Sequence, residues 1–134
     1  MSKYMNLIGK NAKKAIQNKI NTKTKNKVLK KYIFLIEKEK KSILRSNLKD
    51  VKLALKKKLN NNLIDRLILN SKKLNSMKQA VKNIIHLKDP IDNTLEKWTR
   101  PNGLIIKRVS IPIGVIGIIY ESRPNVTSDV SSLC

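Results

Sequence analysis

The side chains best suited to chemistry gather at the end of one stretch. Tyr120-Glu121-Ser122-Arg123-Pro124-Asn125 follows an apolar run in which Val115, Ile116, Ile118 and Ile119 are β-branched and continuous rather than alternating. Such a run suits a strand buried on both faces, as in the parallel sheet of an α/β domain. Ligands of open α/β sheets sit at the carboxyl ends of strands, which places any chemistry at Tyr120 to Asn125. Arg123 carries a planar fork of donors suited to a phosphate or a carboxylate. An ion pair with Glu121 is the competing use of that fork. Asn125 stands where its side chain could cap the next helix, and Thr127, Ser128 and Asp129 are further cap candidates. Gly114 and Gly117 do not form a G-x-G-x-x-G fingerprint; they fit a bend and close packing along a buried strand.

The other reactive residue types are isolated. His86 is the single histidine. It closes a helical pattern with no cysteine or second histidine nearby, so no metal set is visible. Ser131 and Ser132 lack a neighbouring base and a nucleophile-elbow context. Cys134, the only cysteine, follows Val130 by one turn on the same helix face and reads as a small buried hydrophobe. One cysteine forms no internal disulfide and fits a reducing cytoplasm.

The elements that must position these residues fall into two kinds. Residues 1–20 read as a first helix, with Leu7, Ile8, Ala12, Ala15 and Ile16 at spacings of three and four. Thr22 or Thr24 would cap a second helix from Asn26 to about Leu44. Ser46-Asn47 signals the start of a third, whose apolar face is Leu48, Val51, Leu55 and Leu59. Asn60-Asn61-Asn62 breaks the pattern before a short helix over Leu63 to Ile68, with Asp65 and Arg66 outside. Asn70 or Ser71 caps a last helix carrying Leu74, Met77, Val81, Ile84 and Ile85, closed by Asp89-Pro90. After Pro90 the pattern becomes strand-like. Leu95 to Thr99 and Leu104 to Ile111 flank Pro101-Asn102-Gly103, a turn of type I′ or related hairpin geometry. Pro112 and Gly114 then mark a bend before the buried strand.

A formal charge of +21 suggests a nucleic-acid or anionic surface. Its composition argues otherwise, because 25 of the 30 basic residues are lysine and only 5 are arginine. Arginine is the better residue for two-point phosphate and base contacts. The few aromatics are not interleaved with the basic residues as a stacking platform needs. Residues 1–100 carry a net +20 and residues 101–134 only +1, so the charge lies away from the apolar stretch. A solvated lysine coat is the favoured reading, and a small basic nucleic-acid-binding protein the alternative. No apolar run approaches the roughly 20 residues of a membrane span. No signal-peptide pattern stands at the N-terminus.

The stretch Pro112-Ile-Gly-Val-Ile-Gly-Ile-Ile-Tyr-Glu-Ser-Arg-Pro-Asn-Val-Thr127 resembles the signature of the γ-glutamyl phosphate reductase (glutamate-5-semialdehyde dehydrogenase) family, within the aldehyde dehydrogenase superfamily. Leu63 to Leu69, Asp89-Pro90 and Trp98 to Leu104 resemble words of the same family. The resemblance implies an incomplete α/β fold, the N-terminal part of an aldehyde dehydrogenase. Residues 1–90 would be a helical block and 91–111 a β-hairpin of an oligomerisation or bridging region. Residues 112–134 would begin the NADP-binding domain, with the first strand-helix step of a doubly wound parallel sheet. The implied reaction, in cytoplasmic proline biosynthesis, is NADPH-dependent reduction of L-glutamyl 5-phosphate to glutamate 5-semialdehyde with release of phosphate. The implied roles are an oxyanion-stabilising amide for Asn125, substrate binding for Arg123, and backbone contacts to the cofactor at Ile119, Tyr120, Glu121 and Ser122. The family's nucleophilic cysteine lies downstream, so Cys134 is not that residue. Family members are about three times longer, which makes this chain an N-terminal fragment expected to lack activity and to fold poorly alone. The whole enzyme would be a homo-oligomer; a surviving module that docks through its hairpin is a third possibility.

Overall fold

The computed structural model describes residues 2–18, 20–121 and 123–134. The chain forms two compact units, residues 1–20 with 88–117, and residues 21–87 with 118–134. In the first unit, α1 (Lys3–Ala15) starts where Ser2 Oγ accepts the Met5 N–H at 3.3 Å. None of its side chains is buried. Just beyond it, Ile16 approaches Gly114, which sits at φ +105°; a Cβ there would lie 3.3 Å from Ile16 Cδ1. Both the backbone angle and the close approach call for glycine at that bend.

The hairpin of the first unit pairs β1 (Thr94–Thr99) with β2 (Ile105–Val109), antiparallel, with a bulge between Thr94 and Glu96. Trp98 opposes Ile106, and Glu96 opposes Arg108 with an ion pair of 2.9 Å. Its turn is not type I′, which would need positive φ at both central residues. Only Gly103 has a positive φ there, +83°. The Gly103 N–H reaches Arg100 O and the Arg100 N–H reaches Leu104 O, both at 2.9 Å. This is a three-residue connection, because Pro101 fixes a negative φ and leaves the left-handed position to glycine. Ser110 ties the hairpin base: its hydroxyl donates to the Pro90 carbonyl and accepts the Asn93 N–H at 3.1 Å.

The second unit is helical: α2 (Thr22–Lys38), α3 (Lys40–Lys56), α4 (Asn61–Leu67), α5 (Ser71–His86) and α6 (Pro124–Leu133). Asparagine supplies three N-caps. Asn21, Asn60 and Asn70 accept from Thr24, Asn62 and Lys73 N–H groups at 2.8, 2.9 and 2.8 Å, so the α2 cap is neither Thr22 nor Thr24. The core is Ile36, Ala54, Ile64, Leu74 and Val81, drawn from α2, α3, α4 and α5. The α5 face falls as expected, with Leu74 and Val81 buried and Met77, Ile84 and Ile85 half-buried. Lys78 of α5 binds Glu37 of α2, holding that carboxyl below its ordinary value; Lys40 adds a weaker pull in the same direction.

The expected start of a helix at Ser46-Asn47 is overturned. The break lies at Glu39, and Ser46 and Asn47 are inside α3. The face rotates accordingly: Asn47 and Ala54 are buried, Ile43 and Val51 half-buried, while Leu48 is 61% and Leu55 57% exposed. Asn47 turns inward because its amide has partners there. Its Nδ2 donates to Leu67 O at 2.8 Å, and its Oδ1 accepts the Leu69 N–H at 2.7 Å. Both ends of the linker between α4 and α5 are thereby satisfied by one side chain, as buried polar groups require. The α3 C-terminus closes with Lys58 N–H to Leu55 O at 3.0 Å and Leu59 N–H to Ala54 O at 3.1 Å. This is a Schellman arrangement, yet its left-handed position is held by Lys58 at φ 52° rather than by glycine.

The expected strand over Val115 to Ile119 does not form. Among the described residues the only sheet is β1 with β2, so the run has no parallel neighbour to complete its backbone hydrogen bonds. It takes up no regular structure and stays open, with Ile113 92% and Ile119 102% exposed. The helix expected to follow does form, but it begins at Pro124, in the favoured first-turn position for proline, after Arg123. Thr127, Ser128, Asp129 and Asn125 therefore lie inside α6 and none is its N-cap. None of the described helices is long and apolar enough to cross a membrane.

Two substitutions, each lowering the net charge by one, test this account by chemical denaturation. Asn47→Asp keeps the acceptor for Leu69 but loses the donor to Leu67 O, and should cost about 1–3 kcal/mol; an unchanged midpoint would remove Asn47 from its bridging role. Lys58→Gly should stabilise by about 0.5–1 kcal/mol by relieving the left-handed lysine, and a loss of stability would contradict the assigned helix end.

Candidate functional site

Within the second unit, Tyr120, Glu121, Arg123 and Thr127 border an open cleft of about 580 Å³, with Asn47 and Asp50 of α3 on its other side. Each arrives for a local reason. Asn47 faces inward to bind the 67–69 linker, and Leu67 and Leu69 consequently line the same cleft. Pro124 starts α6 and leaves Arg123 at its extended entry, φ −112° and ψ 112°. The Tyr120 hydroxyl shares a hydrogen bond with Thr127 Oγ1 at 3.0 Å, fastening the segment before α6 to its first turn.

The charged groups are coupled. Arg123 Nη2 lies 3.2 Å from Glu121 Oε2, and Arg66 Nη1 of α4 lies 3.6 Å from the same oxygen. The Arg123–Glu121 pair expected as one use of the fork is thus present. Arg123 is only partly engaged, however: its Nε is buried with no hydrogen-bond partner among the described residues. A guanidinium in this state can still give a two-point contact to an oxyanion.

Of the other candidates, Asn125 is exposed in the first turn of α6, and Ile119 is fully exposed. Neither lines the cleft that Tyr120, Glu121 and Arg123 share. Ser122 lies outside the described residues. His86 is exposed at the last position of α5. Ser131 and Ser132 donate their hydroxyls to Thr127 O at 2.7 Å and Ser128 O at 2.8 Å, so both are occupied by helix carbonyls. Cys134 is exposed rather than buried. No group of three or more histidine, cysteine or acidic side chains that could hold a metal occurs among the described residues. Sequence reasoning placed Arg66 on the outer face of its helix, where it lies, but gave it no role, and it misread Asn47 as a cap. Spacing could reveal neither residue's partner, since both partners lie twenty or more residues away.

Ser128 is buried on α6. It is 1% exposed, it borders a second, largely apolar cavity of about 400 Å³ with Tyr32 and Met77, and its Oγ has no hydrogen-bond partner among the described residues.

No family model matches the chain. It is 42% identical to a γ-glutamyl phosphate reductase of Sulfurihydrogenibium sp. over 133 residues, which is 98% of this chain and 30% of that one. The crystal structure of γ-glutamyl phosphate reductase from Thermotoga maritima superposes with a TM-score of 0.81 at 42% identity, over 92% of this chain and 30% of that one. The corresponding Saccharomyces cerevisiae structure gives a TM-score of 0.90 at 29% identity, over 99% and 34%. The chain therefore spans about a third or less of the length of these relatives.

The unpartnered hydroxyl makes a simple prediction. Ser128→Ala keeps the packed Cβ and removes a buried donor, so it should raise stability by about 1 kcal/mol. A comparable loss in thermal or chemical denaturation would mean that the hydroxyl has a partner, such as a buried water.

Proposed function

We propose that this chain, whose sequence and fold correspond to the N-terminal part of γ-glutamyl phosphate reductases, forms that part of an NADPH-dependent reductase. The reaction is conversion of L-glutamyl 5-phosphate to L-glutamate 5-semialdehyde and phosphate, in cytoplasmic proline biosynthesis, by a homo-oligomer. The observation that carries the reading is the half-used Arg123 fork at the entry to α6, in a stretch whose residues match the family signature.

Arg123 would bind the substrate's phosphate or carboxylate through its two-point edge. Asn125, exposed in the first turn of α6, would donate its amide to the oxyanion that develops on the acyl carbon. The nicotinamide cofactor supplies hydride when bound. Ile119, Tyr120, Glu121 and Ser122 would meet it; the first three join no sheet among the described residues, so N–H and C=O groups there are not committed to a ladder. Residues 91–111 would serve as the bridging hairpin of the oligomer, between the 1–90 helical block and the 112–134 cofactor-domain start. The single cysteine does not supply the acyl-accepting thiol. Cys134 lies nine positions after Asn125, about 13 Å along the helix axis, so the nucleophile would come from outside these residues. The 134 residues by themselves would then turn over no substrate.

The nucleic-acid alternative has no matching observation. Of the five arginines, two meet Glu121 and a third, Arg108, meets Glu96.

A chimera tests the reading directly. This chain, replacing the equivalent segment of the Sulfurihydrogenibium reductase, should support NADPH oxidation with γ-glutamyl phosphate. Asn125→Ala in the chimera should lower kcat by about 10²–10³-fold, and Arg123→Lys should chiefly raise KM. A folded chimera without turnover, beside an active parent, would overturn the assignment.

A further inference from the structure

Arg66 has no place in the reading above, yet it stands at the same carboxylate as Arg123. Helix α4 buries Ile64 and leaves Asp65 and Arg66 exposed. From there Arg66 Nη1 reaches to 3.6 Å of Glu121 Oε2, the oxygen that Arg123 Nη2 meets at 3.2 Å. Two guanidinium groups, with five donors each, thus converge on one oxygen of one carboxylate. Arg123 Nε, adjacent to Nη2 on its guanidinium, has no acceptor among the described residues. A buried donor left unmet asks for an explanation.

The three side chains are 39–62% exposed, so solvent and salt weaken the hold on Glu121. Asp50 lines the same cleft. With Glu121 in place, the two carboxylates offset the two guanidinium groups. With Glu121 displaced, two guanidinium groups remain against the single carboxylate of Asp50, a positive surplus beside the cleft that Arg123 borders.

We propose that Arg66 and Arg123 form a two-guanidinium clamp for an oxyanion, a phosphate monoester or a carboxylate, and that Glu121 is its internal competitor. Arg123 gives the two-point contact and Arg66 adds a second positive charge at the same point. Glu121 sets the affinity by occupying the converging donors whenever the ligand does not. The clamp rests on the reductase reading only for the identity of its natural anion.

The arginine Nε–Hε resonances of the ¹⁵N-labelled 134-residue chain report this residue by residue. Inorganic phosphate and glutarate are titrated separately at physiological ionic strength and mildly acidic pH. Arg45, Arg100 and Arg108 serve as internal controls against general binding to the lysine coat. The expected result is a saturable shift of Arg66 and Arg123 together, with the other three unmoved. Glu121→Gln should tighten binding by about two- to fivefold, the range set by an exposed ion pair. Arg66→Gln should abolish the saturable response at Arg123. Saturation by phosphate at the lower concentration would mark the ligand group as phosphoryl, and by glutarate as carboxylate; either supports the clamp. It is overturned if Arg66 stays still while Arg123 responds, if all five resonances drift without saturating, or if Glu121→Gln leaves the affinity unchanged. Because the readout is binding, the clamp can stand where the chimera is inactive, and can fall where it is active.

Discussion

The second unit depends on one buried amide. Asn47 donates to Leu67 O and accepts from the Leu69 N–H, and in doing so fixes the path of the chain between α4 and α5. A backbone that turns between two helices must satisfy its polar groups somewhere. An apolar residue at position 47 would leave two of them facing the core. This amide also explains why α3 presents small Ala54 and polar Asn47 inward while Leu48 and Leu55 face out. The cleft inherits its geometry from the same contact, since Asn47, Leu67 and Leu69 form one side of it.

The charge of the protein divides into two populations with different physics. The lysines are mostly exposed points of charge spread along α1 to α5, screened by solvent and salt. An exception is Lys73, whose ammonium reaches Asp65 O at 3.1 Å and Ile68 O at 2.6 Å, reinforcing the linker that Asn47 also holds. The arginines are few and placed. Three of the five contact a specific carboxylate, and two of those share one. A planar fork keeps its direction where an ammonium does not. The number of cations therefore says little about recognition here, and their type and convergence say more.

The apolar run before α6 illustrates a limit set by hydrogen bonding rather than by hydrophobicity. Its β-branched residues fit a buried strand, but a strand is stable only when a neighbour completes its ladder. Here the run has no such neighbour among the described residues, so its side chains are exposed and only its C-terminal end is fastened, through Tyr120 and Thr127. In the solved relatives this chain matches about a third of the length.

The sequence by itself determined what depends on near neighbours. The helical pattern of α5, the exposure of Asp65 and Arg66 on α4, the cap at Asn70, the hairpin about Pro101-Asn102-Gly103 and the helix after Pro124 all follow from spacing, local propensity and turn chemistry. The signature from Pro112 to Thr127 likewise pointed to its relatives without a structure. Tertiary structure decided whatever needed a distant partner. Asn47 looked like a cap because serine and asparagine are favoured N-cap residues; only Leu67 and Leu69, some twenty residues on, make it a bridge. Glu121 and Arg123 could be paired on paper, but Arg66 joined them only when α4 was packed. The strand expected over Val115 to Ile119 was decided the same way, by the absence of a described neighbour to complete it. Local sequence fixes which conformations are cheap, and long-range hydrogen bonds and ion pairs choose among them.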